Sequence, residues 1–270
     1  MERFASYDGT MLAYHPMSLT ERPLVCVPGG PGRASEYLGD LGGLNGLVRL
    51  DNRGTGGSDR PADKDSYHAD RLADDVEALR VHLGLSRMDL LGHSAGAGIA
   101  MCYAARYPER IERLILVTPG VRAAGITLTP EQWLENVQIR RGEPWFEEAL
   151  EAARSDGPPE SYAQFMYGRW DEATQAHSRI GVRIQEAAEG FIGSDWPALA
   201  PWIRTELGTL EAPVLVVAGE LDPGPTPEMA MRVVQMVPHG RLAIQPKAGH
   251  FPWVDDPHAF SRVISKFLAG

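Results

Sequence analysis

Five short apolar runs, each closed by turn residues and separated from the next by longer stretches, constrain this chain most. They are Pro23–Val27, Gly46–Leu50, Met88–Leu91, Arg113–Val117 and Pro213–Ala218. Runs this short and this continuously apolar read as strands buried on both faces, since a half-exposed strand would alternate apolar with polar residues. Helical patterns lie between them. Leu72, Val76, Leu79 and Leu83 recur at helical spacing, with Asp74, Asp75 and Glu77 on the other side. Residues 95–107 are rich in alanine and other small residues, which lets a helix approach a sheet closely. Phe260, Val263, Ile264 and Phe267 mark one side of a last helix over Ala259–Leu268. This alternation predicts an α/β protein with a mostly parallel, doubly wound sheet.

The alternation stops between about 121 and 210. That stretch has no strand-like run and holds Trp133, Trp145, Trp170, Trp196 and Trp202, five of the six tryptophans. We read 121–209 as a helical cap inserted into a core made of 1–120 and 210–270. A chain of 270 residues suits one such domain with an insertion. Tryptophan suits either a pocket wall or the insertion's own small core. Ser155–Pro159 is the best local break within it.

Gly92-His93-Ser94-Ala95-Gly96 fits G-x-S-x-G, directly after an apolar run and before the alanine-rich helix. That is the strand–turn–helix setting of a nucleophile elbow, in which a tight turn lifts the serine hydroxyl clear of the sheet and leaves no room for flanking side chains. The plain alternative is a serine helix cap. A neutral hydroxyl needs a base within hydrogen-bond reach. Among eight histidines, His250 has the best setting, in a loop after a probable strand, Leu242–Gln245, and before the last helix. His93 adjoins the serine, but its side chain should diverge from it. His15, His68, His82, His177, His239 and His258 read as solvated or packing residues. The base needs an orienting acid, for which Asp222, deeper in its loop, is favoured over Glu220.

The transition state of acyl transfer carries an oxyanion that needs preorganised N–H donors. Ala95, next to the nucleophile, should supply one. Gly30 should supply the other, because the prolines in Pro28-Gly29-Gly30-Pro31-Gly32 have no N–H. The loop lacks both the Gly-Lys-Ser/Thr and the G-x-G-x-x-G pattern of a phosphate cradle. Asp51–Ser58 is polar and glycine-rich, but Asp51 and Arg53 read as loop braces. The His and Cys spacing fits no zinc site, and neither a metal nor an organic cofactor is expected.

Charge narrows the partners. The chain has 36 acidic against 26 basic residues, a net charge of −10, and no basic run. Nucleic acid and anionic membrane surfaces should repel it. No apolar run approaches the length of a membrane span, and the N-terminus has no leader-like pattern, so a cytoplasmic protein is expected. Cys26 and Cys102 read as buried thiols.

With these motifs in view, the sequence resembles the α/β-hydrolase superfamily over about 5–120 and 210–270. The residues that carry the resemblance are Val27–Gly32, Asp51–Gly56, Gly92–Gly96, Gly219–Asp222 and Gly249-His250. Gly29–Gly32 followed by Asp51–Gly54 is similar to the proline iminopeptidase branch, which removes N-terminal proline from short peptides. This chain has Pro28 where that branch usually has His, Ala95 where it usually has Trp, and a shorter insertion. The resemblance implies that insertion glutamates would hold a substrate's amino group, with Glu143, Glu147, Glu148, Glu172 and Glu186 all possible. The expected activity is therefore a serine hydrolase using Ser94, His250 and Asp222 on a small-molecule or short-peptide ester or amide. An aminopeptidase, a biosynthetic thioesterase or cyclase, a ligand-binding receptor and a cofactor-free lyase on the same fold are the alternatives.

Overall fold

Residues 1–18, 20–155 and 157–270 are described in a computed structural model of the chain. The five apolar runs become the inner strands of one sheet. These are β3 (Leu24–Val27), β4 (Leu47–Leu50), β5 (Met88–His93), β6 (Ile111–Val117) and β7 (Val214–Gly219), with β8 (Gly240–Gln245) at one edge. At the other edge stand β1 (Glu2–Ala5) and β2 (Met11–Met17), giving the order β1-β2-β4-β3-β5-β6-β7-β8. From β4 to β8 every pairing is parallel, while β1 pairs with β2, and β2 with β4, antiparallel. The antiparallel pair was not anticipated from the sequence. β2 mixes His15 and Pro16 among its apolar residues, so it lacks the continuous run of a buried parallel strand.

The strands alternate their side chains between two cores, as a period of two demands. Val25, Val27, Leu90, Leu116, Val214 and Val216 face one layer, which holds α1 (Ala69–His82), α2 (Ala95–Arg106) and, further along the chain, α8 (Pro227–Val234). Leu24, Cys26, Leu91, Ile115 and Val217 face the other, covered by a 3₁₀ turn at Ser35–Leu38 and by the C-terminal helix Pro257–Leu268. Both cysteines are buried and free, and burial pushes both thiols up, Cys102 to about 12.

Between β6 and β7 the described residues form α3 (Pro130–Asn136), α4 (Phe146–Arg154), α5 (Glu172–Ser178), α6 (Gln185–Ile192) and α7 (Trp196–Leu207), with 3₁₀ turns between them. The break expected at Ser155–Pro159 includes Asp156, which lies outside the described residues. The tryptophans here serve packing. Trp133 and Trp145 meet the Phe165 ring edge-on at 5.6 and 5.2 Å, beside a small core of Val137, Phe146, Ala149 and Leu150. Trp170 lies against Tyr167, and Trp196 against Phe191. Trp196 also borders a pocket with Ile126, Leu128 and Arg204, so it serves both of the roles open to it in the sequence.

The polar loop after β4 is a brace. Arg53 is fully buried and donates to Asp75 from Nε at 2.7 Å and to Asp8 from Nη1 at 2.8 Å. Asp51 accepts from the Ser35 amide and hydroxyl at 2.8 and 2.7 Å and from the Gly57 amide at 3.0 Å. Burial works against the Asp51 charge, but these donors and His15 outweigh it and hold the carboxyl below its usual range. None of the helices among the described residues is long and apolar enough to cross a membrane.

Candidate active site

Every expected site residue follows the carboxyl end of a parallel strand. Gly30 lies in the loop after β3, Ser94 and Ala95 after β5, Asp222 after β7 and His250 after β8. In an open parallel sheet this edge gathers loops from non-neighbouring parts of the chain into one crevice.

Ser94 sits at φ 54° and ψ −120°, a backbone that non-glycine residues seldom adopt. Close packing holds it there. A Cβ on Gly92 would stand 2.4 Å from the Gly96 carbonyl oxygen, and one on Gly96 would stand 2.2 Å from the Val27 carbonyl oxygen. The two motif glycines are thus required by the approach of α2 to β3 and β5. Ser94 is the residue before α2, yet its side chain makes no capping hydrogen bond, which removes the plain helix-cap role.

The imidazole of His250 meets Asp222 rather than Glu220. His250 Nδ1 lies 2.7 Å from Asp222 Oδ2, and both residues are buried. Asp222 Oδ1 accepts from the Gly224 amide at 2.9 Å, which fixes the carboxylate plane. An Nδ1–H donated to Asp222 leaves Nε2 as the ring's acceptor. Glu220 turns away and accepts from the Lys247 amide at 2.7 Å.

Ser94 and His250 line one cavity of about 440 Å³. No hydrogen bond joins their side chains. Gly30 is on the same wall. The Gly29 amide is already committed to the Tyr37 hydroxyl at 2.7 Å. Ala95 is nearly buried and is not one of the lining residues; it packs behind Gly29, at the first turn of α2, where its N–H has no partner within the helix.

His93 has a role that its neighbour's motif did not announce. Its Nε2 is 3.0 Å from the His250 carbonyl, so Nε2 carries the proton, and Nδ1 accepts from the Tyr37 hydroxyl at 2.7 Å. Burial, and next the nearness of His250, hold His93 well below the usual histidine range, so the ring stays neutral. Thr118 donates a second bond to the His250 carbonyl at 3.0 Å, and the His250 amide donates to the Met166 carbonyl at 2.8 Å. The backbone of His250 is therefore clamped from the elbow, from the end of β6 and from the 130–207 helical segment. Only the tertiary structure brings Tyr37, Thr118 and Met166 to this place.

The remaining cavity wall is aromatic and mixed, with Tyr37, Tyr162, Tyr167 and Phe251 among its residues. None of Glu143, Glu147, Glu148, Glu172 and Glu186 lines it. Glu143 pairs with Arg140 at 3.2 Å and Glu186 with Lys64 at 3.2 Å. The carboxylate that does line it is Glu160, exposed in the 3₁₀ stretch Pro159–Met166, which carries no sequence signal of a site. His177 packs beneath, with Nε2 donating to the Tyr37 carbonyl at 2.9 Å and Nδ1 accepting from the Tyr167 hydroxyl at 2.8 Å.

Known proteins agree with this architecture. The chain is 27% identical over 252 residues to a putative 2-succinyl-6-hydroxy-2,4-cyclohexadiene-1-carboxylate synthase of Bacillus subtilis, covering 91% of this chain and 89% of that protein. It is 23% identical to a proline iminopeptidase of Heyndrickxia coagulans, covering 91% and 90%. Among solved structures, a thermophilic esterase from Thermogutta terrifontis superposes with a TM-score of 0.72 at 22% identity, covering 100% of this chain and 98% of that one. Residues 22–257 match the family described by the alpha/beta hydrolase fold, and the chain belongs to that family.

Proposed function

We propose that this protein is a serine hydrolase that cleaves an ester or amide bond of a small substrate through an acyl-enzyme on Ser94. Ser94 Oγ attacks the carbonyl carbon while His250 Nε2 takes its proton. Asp222 holds His250 in the Nδ1–H tautomer and stabilises the imidazolium. The amides of Gly30 and Ala95 receive the oxyanion. His250 then protonates the leaving group, and water attacks the acyl-enzyme with His250 again as base. Each step uses groups of this chain and calls for no metal or organic cofactor. In this reading 121–209 is a cap over the cavity, and 1–120 with 210–270 is the catalytic core. The observation that carries the reading is the 2.7 Å contact of Asp222 with His250 at the cavity into which the strained Ser94 turn opens.

The test is turnover of p-nitrophenyl butyrate by wild type and by Ser94→Ala. Loss of the nucleophile is expected to lower kcat by roughly three to six orders of magnitude with the melting temperature kept. A wild-type rate in the variant would remove the acyl-enzyme.

An aminopeptidase is the second reading, favoured by relatives named proline iminopeptidase, such as that of Lactiplantibacillus plantarum, 28% identical over 271 residues. It needs an anionic spot for the substrate's ammonium group. Glu160 is the carboxylate on the cavity wall that would have to provide it. Prolyl-p-nitroanilide turnover that requires a free amino terminus would establish it.

A further inference from the structure

Arg33 and Arg183 stand opposite each other across an isolated antiparallel β-bridge, and both line the cavity that holds Ser94 and His250. The bridge joins the loop after β3 to the segment between α5 and α6, and the Ile184 amide donates to the Gly32 carbonyl there at 2.8 Å. Residues directly opposite on such a bridge have their Cβ atoms about 5 Å apart, and like charges in that arrangement repel. Neither arginine has a carboxylate within ion-pairing distance among the described residues.

Arg33 is held in place by neutral groups. Its Nη2 donates to the Ile180 carbonyl at 2.5 Å, and its guanidinium lies 4.3 Å from the centre of the Tyr37 ring. Arg183 is exposed and donates from Nε to the Pro31 carbonyl at 3.3 Å. Most donors of both guanidinium groups remain unused, and each group has five. The other ionisable groups of the cavity do not neutralise them. His93 and His177 stay uncharged, the charge of Asp222 is committed to His250, and Glu160 pairs with neither arginine. Two unneutralised guanidinium groups, carried by residues opposite each other in a backbone bridge beside the oxyanion loop, make this wall of the cavity positive, and a bound anion would neutralise it.

We propose that Arg33 and Arg183 form a carboxylate subsite, so that the substrate is an ester or amide whose acyl portion carries its own anionic group. This rests on the acyl-enzyme reading above and narrows it. An acidic acyl chain would be drawn to this wall, whereas a substrate presenting an ammonium group would meet two positive charges and one carboxylate.

Mono-p-nitrophenyl adipate and its methyl ester share a chain and a leaving group and differ in one negative charge. The expected result is a higher kcat/KM for the hemiester in wild type. The ratio of the two values should fall by about tenfold in Arg33→Gln and in Arg183→Gln, and be largely kept in Arg183→Lys, since a hydrogen bond between charged groups contributes on that scale. Arg33→Gln frees the Ile180 carbonyl and could loosen the loop, so Arg183→Gln, on an exposed side chain, is the deciding variant. Equal kcat/KM for both esters in wild type, or an unchanged ratio in Arg183→Gln, overturns the subsite. Calorimetric titration with adipate at constant ionic strength decides it even where neither ester reacts. Saturable binding lost in Arg183→Gln supports the subsite, and no binding to wild type overturns it. Turnover that survives Ser94→Ala would instead overturn the acyl-enzyme, leaving the adipate result to stand by itself.

Discussion

His93 Nε2 donates to the backbone carbonyl of His250 at 3.0 Å, so the residue before the proposed nucleophile holds the proposed base. Its ring packs against that of His250, with centroids 5.0 Å apart. The chain of bonds runs on through the Tyr37 hydroxyl to the Gly29 amide, next to Gly30. The Ser94 turn, the His250 loop and the Gly29–Gly30 loop are thus joined by one fully paired set of buried groups, and such sets are costly to break in part.

Tyr37→Phe tests that link. It removes one hydroxyl and strands two buried groups, the Gly29 N–H and His93 Nδ1. Leaving buried polar groups unpaired costs about 1–3 kcal/mol. The denaturation midpoint should fall accordingly, and kcat should fall with it as the Gly29–Gly30 loop loosens. Stability and kcat both equal to wild type would show that the link does not matter.

Asp222→Asn should keep the fold and lose the reaction. The amide cannot hold His250 in the Nδ1–H tautomer, and the loss in kcat should be about a thousand- to ten-thousandfold. Ester kinetics beside a circular dichroism spectrum measure both. A loss under tenfold would mean that another group orients the imidazole.

Gly29→Ala should be damaging although Gly29 has an ordinary backbone. Its Cβ would stand 2.5 Å from the His93 carbonyl oxygen, 2.8 Å from Ser94 Cβ and 2.9 Å from the Ala95 nitrogen. Those atoms belong to residues 93–95 and cannot yield without moving Ser94, the proposed nucleophile. Overpacking of this kind costs about 1–3 kcal/mol. Gly142→Ala is the control, because nothing lies within 4 Å of the added methyl. If the two variants melt alike, the contact between the Gly29 loop and the Ser94 turn is looser than the distances state.

Acid should destabilise the fold through His177. Burial lowers this histidine from 6.5 to about 4. The unfolded chain therefore binds more protons than the folded one between those values, and stability falls as pH drops through that window. Two and a half units correspond to about 3 kcal/mol at most. Above pH 6.5 neither state is protonated at this site, and the effect vanishes. The melting temperature measured from pH 7 to pH 4 should fall less steeply in His177→Asn than in wild type, and parallel slopes would place the acid sensitivity elsewhere.

The sequence by itself determined the layered α/β class, the five inner strands, the strand–turn–helix around Ser94 and the strand-end loops that carry Asp222 and His250. Each of these is written locally, as an unbroken apolar run, as glycines that a tight turn demands, or as a polar residue just past the end of a strand. The β1–β2 pair was not legible, because an antiparallel edge tolerates His15 and Pro16 and so leaves no continuous apolar run. The choice between pocket and core for the tryptophans, the coupling of His93 to Tyr37 and His250, and the facing of Arg33 and Arg183 were decided only by tertiary structure. The last two join residues dozens to more than a hundred positions apart, and a contact of that range has no periodicity or spacing within one stretch of chain to announce it. It exists because parallel strands deliver distant loops to the same edge of the sheet.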